Sequence, residues 1–309
     1  MMRIVFMGTP RFAVISLQLL VKRGFDIIAV VTAPDKGQGR GLKIQPSPVK
    51  EVATALHLPV IQPFNLKDPE FIQQMRTLVP DVILVVAFRI LPEEVFTIPR
   101  MGTINLHGSL LPRYRGAAPI NWAIINGEKK TGATTFFIKK EVDTGNIIDT
   151  VEIEIGSMMT AGELHDIMAV KGAELLVNSC TRLRDGTITP KKQDDSLATK
   201  APKIYKEDCL IDFNQPVAQV HNFIRGLSPF PSAHSFYRGQ MIRLFHSGIY
   251  ISKHLENKVG EIVEIINGQL IIQCNPGLLS IGEVQLAGKK RMPVADFIRG
   301  HDVEKLILG

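Results

Sequence analysis

The side chains best suited to chemistry stand at the end of one short apolar segment. Asn105 and His107 are two positions apart in TINLH (103–107), and alternate residues of a strand face the same side of a sheet. An amide and an imidazole on one face can donate hydrogen bonds to an oxygen that becomes negative during a reaction. No other histidine or cysteine stands at metal-ligand spacing beside them, so we expect no metal. Alone, the pattern also fits a strand end where the asparagine caps a turn and the histidine packs on the sheet.

A carboxylate follows the next apolar segment along the chain. Asp143 begins the turn sequence Asp-Thr-Gly, where an aspartate usually bonds its own backbone. It follows its strand much as His107 ends TINLH, so the two could meet at one rim and the carboxylate could orient the imidazole. The set predicts direct attack of a substrate amine on a bound acyl donor, with Asn105 and His107 on the oxyanion and Asp143 supporting the imidazole or accepting the amine proton. A triad built on Ser109 is the alternative, but no Gly-x-Ser-x-Gly turn surrounds that serine.

Alternating strand and helix patterns must position these groups. Short apolar segments predict strands at 3–7, 26–32, 81–88, 103–107 and 134–138. Thr9 and Pro10 predict a helix start as N-cap and first helical residue, and Thr160 with Glu163 forms a capping box. The alternation predicts a Rossmann-like, doubly wound α/β fold with a mostly parallel sheet, whose ligand sites lie beyond the carboxyl ends of the strands.

The remainder of the chain has a different pattern. Residues 187–207 are polar and lack periodicity, which favours a linker between domains. A helix is predicted at 214–227, followed by several short strands, two of them joined by the hairpin dipeptide Asn267-Gly268. Short strands of this kind favour a small OB-like β-barrel. The predicted regions are a catalytic domain (1–189), a basic and polar linker (190–207) and a C-terminal domain (208–309).

Composition limits the class of protein. The 309 residues are 45% hydrophobic and 21% charged, which is ordinary for a globular chain, and no apolar run is long enough to cross a membrane. The first residues, MMRIVFMGTP, lack the features of a signal peptide, and the three cysteines form no disulfide framework. We therefore expect a cytoplasmic monomer with reduced thiols and no membrane partner. The net charge of +6 leaves a basic soluble enzyme and a polyanion-binding protein both open.

One glycine-rich loop carries basic residues. APDKGQGRGLK (33–43) holds Lys36, Arg40 and Lys43 among three glycines. Such a loop is either a solvated connection or a segment that moulds to phosphates. Its glycines do not match the dinucleotide pattern G-x-G-x-x-G, which argues against a nicotinamide-dependent oxidoreductase.

Several motifs together resemble one family over nearly the whole chain. They are FMGTPRFAV, PDKGQGRG, PSPVK, NLHGSLLPRYRGAAP, DTG, APKIYKED and IRGLSPFPSA. The Asn-x-His and Asp core resembles the 10-formyltetrahydrofolate-dependent formyltransferases, and the other motifs are similar to the methionyl-tRNA formyltransferases within them. The resemblance implies formyl transfer from 10-formyltetrahydrofolate to the amino group of methionyl initiator tRNA. The closest alternative is a sugar or small-metabolite N-formyltransferase, and a formate-releasing hydrolase or a noncatalytic RNA-binding protein explains fewer of the motifs.

The resemblance also implies roles for individual residues. Asn105, His107 and Asp143 would be the catalytic set. The folate would be bound by the SLLP turn and by the AFRIL segment (87–91), mostly through backbone: Ser109, Leu110, Leu111, Pro112, Phe88, Arg89 and Leu91. The tRNA would be bound by basic residues, with Arg40 the leading contact: Arg40, Lys36, Lys43, Lys203 and Lys206. The sequence departs from the family at Arg89, where a small residue is common, and at Lys139-Lys140, which replace an acidic-glycine stretch.

Overall fold

The computed structural model describes residues 2–38, 43–251, 257–303 and 306–308. The chain forms two compact units, each built from separate stretches of sequence. The first contains Met1–Gly116, Gly132–Ile153 and His165–Lys200, and the second contains Ala117–Thr131, Glu154–Leu164 and Ala201–Gly309. The regions expected from the sequence are continuous, whereas two stretches before residue 190 belong to the second unit.

The strands and helices are numbered in chain order. The strands are β1 (Arg3–Gly8), β2 (Asp26–Val31), β3 (Lys36–Gln38), β4 (Lys43–Gln45), β5 (Val60–Ile61), β6 (Val82–Val86), β7 (Thr103–His107), β8 (Arg115–Gly116), β9 (Lys130–Phe137), β10 (Ile147–Glu154), β11 (Lys200–Ala201), β12 (His234–Tyr237), β13 (Gln240–Tyr250), β14 (Ile262–Ile266), β15 (Gln269–Cys274), β16 (Gly277–Leu286) and β17 (Met292–Pro293). The helices are α1 (Arg11–Lys22), α2 (Pro48–Ala55), α3 (Pro69–Thr77), α4 (Glu93–Phe96), α5 (Pro119–Ile125), α6 (Ala161–Arg184), α7 (Val217–Gly226) and α8 (Val294–Phe297).

A seven-stranded sheet organises the first unit. Its strand order is β10-β9-β7-β6-β1-β2-β5, and the pairs β1–β2, β1–β6, β2–β5 and β6–β7 are parallel. The pair β7–β9 is antiparallel. The predicted Rossmann-like, mostly parallel sheet is therefore confirmed, and the central strands are buried on both faces as parallel strands require.

The connection between β1 and α1 requires a glycine at position 8. A Cβ atom on Gly8 would lie 2.7 Å from the Ala13 Cβ atom and 3.0 Å from the Val86 carbonyl oxygen. The prediction that Thr9 caps α1 is wrong, because Pro10 is the N-cap and provides no side-chain hydrogen bond. The Thr9 hydroxyl instead accepts a hydrogen bond from the Ala33 backbone N–H at 3.4 Å.

The long helix α6 begins as predicted. The Thr160 N–H donates to the Glu163 carboxylate at 2.8 Å, and the Glu163 N–H donates to the Thr160 hydroxyl at 3.3 Å. This reciprocal pair is a capping box, which satisfies amide groups that a helix start leaves without partners. Gly186, with φ +67°, closes the helix as expected. No helix among the described residues is both long and apolar enough to span a membrane.

The second unit contains the expected antiparallel strands. Their order is β12-β13-β16-β15-β14, with β17 paired to β16. Asn267 and Gly268 have φ values of 49° and 73° and join β14 to β15, so the predicted hairpin is confirmed. Helix α7 starts at Val217, three residues later than predicted, because Asp212 accepts a hydrogen bond from the Asn214 N–H in a local turn and Pro216 then caps the helix.

The stretch expected to be a linker is packed in its first half. Lys191 and Ile147 exchange backbone hydrogen bonds of 2.8 and 2.7 Å. The side chain of Gln193 is buried, with the residue only 5% exposed. Residues 191–199 of the first unit therefore contact β8, the turn that follows β9 and the start of β10, and are not a solvated connection.

Candidate active site

The end of β7 carries the first part of the site. Leu106 faces α6, since a Cβ atom on Gly172 of that helix would lie 3.1 Å from a Leu106 methyl group. Asn105 and His107 flank Leu106, so the alternation of the strand turns both toward the opposite face. The pairing of β7 with β6 places them at the carboxyl end of the parallel sheet, as predicted.

His107 is held by one ring nitrogen and presents the other. Its Nε2 atom lies 2.8 Å from the Tyr114 carbonyl oxygen, and its side chain is 7% exposed. A carbonyl oxygen only accepts, so Nε2 carries a hydrogen in this arrangement. The Nδ1 atom faces the Asp143 carboxylate, with 3.7 Å between Nδ1 and Oδ2. That distance exceeds a direct hydrogen bond, so both atoms can contact a third, bound atom.

Asp143 is anchored by the main chain. Its Oδ2 atom accepts a hydrogen bond of 2.9 Å from the Gly116 N–H, and its own φ is +58°. The turn lies tightly against β9, because a Cβ atom on Gly145 would be 1.5 Å from the Phe137 carbonyl oxygen. Only glycine can occupy position 145 without moving this turn. The structure thus brings Asp143 and His107 together at one rim.

Asn105 completes the group at this rim. It is half-buried, and its amide makes no hydrogen bond with any other part of the chain that the structure describes. An amide N–H₂ group without a protein partner can donate to a bound oxygen. Asn105 supplies one donor on this face, and His107 supplies a second from Nδ1 when both ring nitrogens are protonated; two such donors are the arrangement needed to stabilise an oxyanion.

The SLLP turn is buried beneath these residues. Ser109 is fully buried, and its hydroxyl donates to the Arg113 carbonyl oxygen at 2.6 Å. The Leu111 N–H donates to the Thr134 hydroxyl of β9 at 3.1 Å. Leu110 and Pro112 are partly exposed. A nucleophilic role for Ser109 is excluded by this buried, occupied hydroxyl, whereas folate contacts of the turn remain a prediction.

The AFRIL segment lies beside a cavity of about 560 Å³. Arg89 donates to the Phe64 and Pro63 carbonyl oxygens at 3.0 and 2.8 Å, and its guanidinium lies 5.2 Å from the centre of the Phe88 ring. Burial lowers the pKa of Arg89. The cavity is bordered by apolar, cationic and acidic groups, among them Phe64, Lys67, Arg89, Ile90, Leu91, Glu93, Glu94 and Lys140. Arg89, the departure from the family pattern, thus binds a neighbouring loop to the wall of this cavity.

The basic loop is fixed at its base. Asp35 contacts the Lys50 ammonium at 2.6 Å and the Gln62 amide at 2.7 Å. The hydrogen bond from Lys50, followed by that from Gln62, lowers the pKa of Asp35. Lys36 is exposed on β3 and Lys43 belongs to β4, whereas Arg40 lies outside the described residues.

The basic residues predicted in the second unit are exposed. The Lys203 ammonium lies 4.9 Å from the centre of the Tyr205 ring, and Lys206 precedes a short 3₁₀ turn, Glu207–Cys209. An exposed cation beside an exposed aromatic ring suits contact with a nucleic-acid backbone and base. Their role in tRNA binding stays a prediction.

Two groups at the rim gave no signal in the sequence. The Gly116 N–H binds the Asp143 carboxylate, and the Gln193 amide binds the carbonyl oxygens of the same turn. Gln193 lies in a polar stretch without periodicity, where no pattern separates a buried residue from a solvated one. Within the described residues, no group of three or more His, Cys, Asp or Glu could hold a metal ion.

Comparison with known proteins gives a consistent result. A family described as formyl transferase matches residues 2–180, and one described as formyl transferase, C-terminal domain, matches residues 203–302. A methionyl-tRNA formyltransferase of Ruminiclostridium cellulolyticum is 47% identical over 305 residues, which is 98% of each chain. Another, from Acetivibrio thermocellus, is 44% identical over the full length of both chains.

Solved structures share the fold at lower identity. An N-formyltransferase from Helicobacter canadensis, in complex with folinic acid and dTDP-3-aminofucose, has a TM-score of 0.67 and 22% identity, covering 94% of this chain and all of its own. HypX from Aquifex aeolicus, in complex with tetrahydrofolic acid, has a TM-score of 0.65 and 19% identity, covering 96% of this chain and 47% of its own. At these identities the likeness establishes the fold alone.

Proposed function

We propose that Asn105, His107 and Asp143 carry out the reaction of this chain, with 10-formyltetrahydrofolate as the formyl donor. The chain belongs to the methionyl-tRNA formyltransferases, and it therefore formylates the amino group of methionyl initiator tRNA. The observation that carries the residue assignment is the meeting of three polar side chains at one rim. His107 Nδ1 and Asp143 Oδ2 face each other there, and Asn105 lies on the same face of β7.

The segment around residues 88–91 fits a flat, partly polar donor. The cavity beside it is bordered by the exposed side chains of Phe64 and Ile90 and by cationic groups of Lys67 and Lys140. Aromatic and aliphatic walls with a few charged groups are typical of small-molecule sites. Arg89 and Leu91 line this cavity. Together with Phe88 and the SLLP turn, which lie outside its lining, they would hold the folate, which supplies a formyl group activated on nitrogen.

The chain's own residues would act mainly by orientation and electrostatics. The methionyl amine must attack as the free base, so donor and acceptor have to be brought together at the rim. As the carbonyl carbon becomes tetrahedral, the Asn105 amide donates to its oxygen, and His107 donates from Nδ1 as an imidazolium, with both ring nitrogens protonated. Asp143 accepts the amine proton, directly or through a water molecule. The oxyanion then collapses, the bond from the formyl carbon to the tetrahydrofolate nitrogen breaks, and that nitrogen leaves with the proton that Asp143 accepted. The hydrogen bond from Nε2 to the Tyr114 carbonyl holds the imidazole in place during this step.

Basic residues would bind the tRNA through its phosphates. Lys36, Arg40 and Lys43 would contact the acceptor end of the tRNA. Lys203 and Lys206, which belong to the second unit, would contact the sugar-phosphate backbone of the tRNA. Contacts of this type position the nucleic acid without reading its sequence, and they weaken as salt is raised. The anchoring of Asp35 by Lys50 and Gln62 supports the proposal, because it fixes the base from which the basic loop extends.

The similarity pattern favours tRNA over a sugar acceptor. Relatives with 44–47% identity over nearly the whole chain are methionyl-tRNA formyltransferases, while the N-formyltransferase of Helicobacter canadensis, whose structure contains dTDP-3-aminofucose, is 22% identical. Formylation of initiator tRNA serves translation initiation, so we propose that the protein works in the cytoplasm. We also propose that it acts as a monomer.

One assay tests the function. The purified chain is mixed with charged initiator tRNA and 10-formyltetrahydrofolate, and formyl-methionine on the tRNA is measured. Charged elongator methionine tRNA and a dTDP-amino sugar serve as competing acceptors. Rapid formylation of the initiator tRNA alone is expected, and faster formylation of the sugar would contradict the proposal.

A further inference from the structure

We propose that Gln193 is a positioning residue for formyl transfer, which keeps the Asp143 turn and the Arg115-Gly116 loop in fixed register beside His107. The inference rests on the proposed role of Asp143. Gln193 contacts none of the three proposed catalytic side chains. It acts through the backbone that carries one of them and through the loop that anchors its carboxylate.

The amide group of Gln193 holds the Asp143 turn from below. Its Nε2 atom donates to the Asp143 carbonyl oxygen at 2.9 Å and to the Gly145 carbonyl oxygen at 2.8 Å. The residue is 5% exposed, so water cannot readily replace these bonds. Both donor hydrogens of the amide are therefore used on the two ends of one three-residue turn.

The oxygen of the same side chain holds the second loop. Gln193 Oε1 accepts hydrogen bonds from Arg115 Nε at 3.2 Å and Nη2 at 2.7 Å. The next residue, Gly116, donates its N–H to the Asp143 carboxylate at 2.9 Å. The path from Gln193 through Arg115, Gly116 and Asp143 back to Gln193 is thus a closed ring of hydrogen bonds and backbone.

Both loops have backbone that needs outside support. Asp143 has φ +58° and Tyr114 has φ +60°, a region that residues other than glycine adopt uncommonly and, for a bulky residue such as tyrosine, with support from their surroundings. Tyr114 also supplies the carbonyl oxygen that binds His107 Nε2. A shift of either loop would therefore move the imidazole, the carboxylate or both.

Residues near Gln193 also bind the loop that contains Tyr114 and Arg115. Thr199 accepts the Tyr114 N–H on its hydroxyl at 2.8 Å and the Arg115 N–H on its carbonyl oxygen at 2.9 Å. Asp195 accepts a hydrogen bond from Arg115 Nη2 at 2.6 Å. The stretch 193–199 is therefore a clamp on the site, and Gln193 is its buried member that contacts both loops.

The experiment compares steady-state kinetics of full-length variants. Gln193→Ala removes all the side-chain hydrogen bonds of residue 193, whereas Gln193→Glu keeps the volume and the acceptor for Arg115 but cannot donate to the two carbonyl oxygens. Gln273→Ala is the matched control, because Gln273 is a buried glutamine whose amide likewise donates to two backbone carbonyl oxygens, those of Cys274 and Gly277. Thermal unfolding shows which variants are folded, and Asp143→Asn tests the premise.

We expect both Gln193 variants to reduce kcat about tenfold or more, since small displacements of a catalytic group are costly. The KM values for tRNA and for the formyl donor should stay within about twofold of the wild type, because the binding residues are untouched. Gln273→Ala should lower Tm and leave kcat unchanged. The Glu variant decides the question if the Ala variant does not fold.

Two results would overturn the inference. A folded Gln193→Glu variant with wild-type kcat would show that the donated bonds do not position the site. A loss of kcat no larger than that of Gln273→Ala would show a structural role alone. Full activity in Asp143→Asn would instead refute the role of Asp143 and remove the basis of the proposal, whereas a wild-type chain that does not formylate tRNA would refute the function itself.

Discussion

The Asp143 Oδ2 atom lies 3.7 Å from His107 Nδ1 and at the same time accepts a 2.9 Å hydrogen bond from the Gly116 N–H. The carboxylate is thus held by the main chain and not by the imidazole. His107 is in turn held through Nε2 by the Tyr114 carbonyl oxygen. His107 is held through the nitrogen that does not face Asp143, and Asp143 Oδ2 has a second lone pair besides the one that accepts the Gly116 N–H, so both facing atoms keep capacity for a bound substrate.

Removing either oxyanion donor should impair the chemical step. Asn105→Ala and His107→Ala are each expected to lower kcat by roughly 10²–10³, because one donor to a developing oxyanion contributes on that order. The fold should persist, as judged by circular dichroism and Tm. Asn178→Ala, on the exposed face of α6, is the control and should behave as the wild type. Near-normal turnover in both variants would contradict the assignment.

Gly145 should tolerate no side chain. Its Cβ atom would lie 1.5 Å from the Phe137 carbonyl oxygen, so Gly145→Ala must displace the turn that carries Asp143. We expect kcat to fall at least about tenfold, with a lower Tm. Gly300→Ala is the matched control, since a Cβ atom there meets nothing within 4 Å. A Gly145→Ala variant with wild-type kcat would show that the turn can move without affecting the reaction.

Local sequence rules predicted the elements whose causes are local. The capping box at Thr160, the hairpin at Asn267-Gly268 and the strand face of Asn105 and His107 all depend on residues close in the chain. The same kind of rule gave a wrong prediction for Thr9 as a helix cap, because the Thr9 hydroxyl accepts a hydrogen bond from the Ala33 N–H, which is distant in sequence. Capping preferences cannot register such a competing partner.

The remaining parts of the site depend on contacts between distant segments. Gln193 and Gly116 meet Asp143 across gaps of 50 and 27 residues, and Arg89 meets Phe64 across 25. A backbone N–H or a single glutamine carries no periodicity, so nothing in the polar stretch 187–207 indicates a buried residue. Asp143 does meet His107, but not because the two strands end at one edge: β9 runs antiparallel to β7 and pairs Phe137 with Ile104, so the loop after β9 has to return toward His107.

A substitution in the basic loop should weaken the use of tRNA and leave folate binding unchanged. Arg40→Ala is expected to lower kcat/KM for methionyl-tRNA roughly fivefold to tenfold and to reduce the slope of log affinity against log salt by about one, as expected for one lost phosphate contact. The KM for 10-formyltetrahydrofolate should not change. Arg23→Ala, an exposed arginine at the end of α1, is the control. An equal loss of folate affinity would argue against a tRNA role for this loop.

The buried thiols should destabilise the protein in alkali. Burial raises the pKa of Cys180 to about 12, against an ordinary value of 9.0. Below pH 9 the thiol is neutral in both the folded and the unfolded chain. Between that pH and 12, the unfolded chain ionises while the folded chain does not, so the raised pKa contributes stability that is lost as pH rises. From pH 8 to pH 10 this loss is about 1.4 kcal/mol of unfolding free energy.

Cys180→Ala removes this titration but leaves the other groups in place. The variant should be less stable than the wild type at pH 8, because it leaves a cavity. The difference in unfolding free energy between the wild type and the variant should be about 1.4 kcal/mol smaller at pH 10. At that pH only the wild type is destabilised by ionisation of the Cys180 thiol in the unfolded chain. Ser179→Ala, at a buried neighbour that does not titrate, should show the same difference at both pH values. Urea unfolding at pH 8 and pH 10 measures each difference, and an unchanged value for Cys180→Ala would show that this thiol ionises alike in both states.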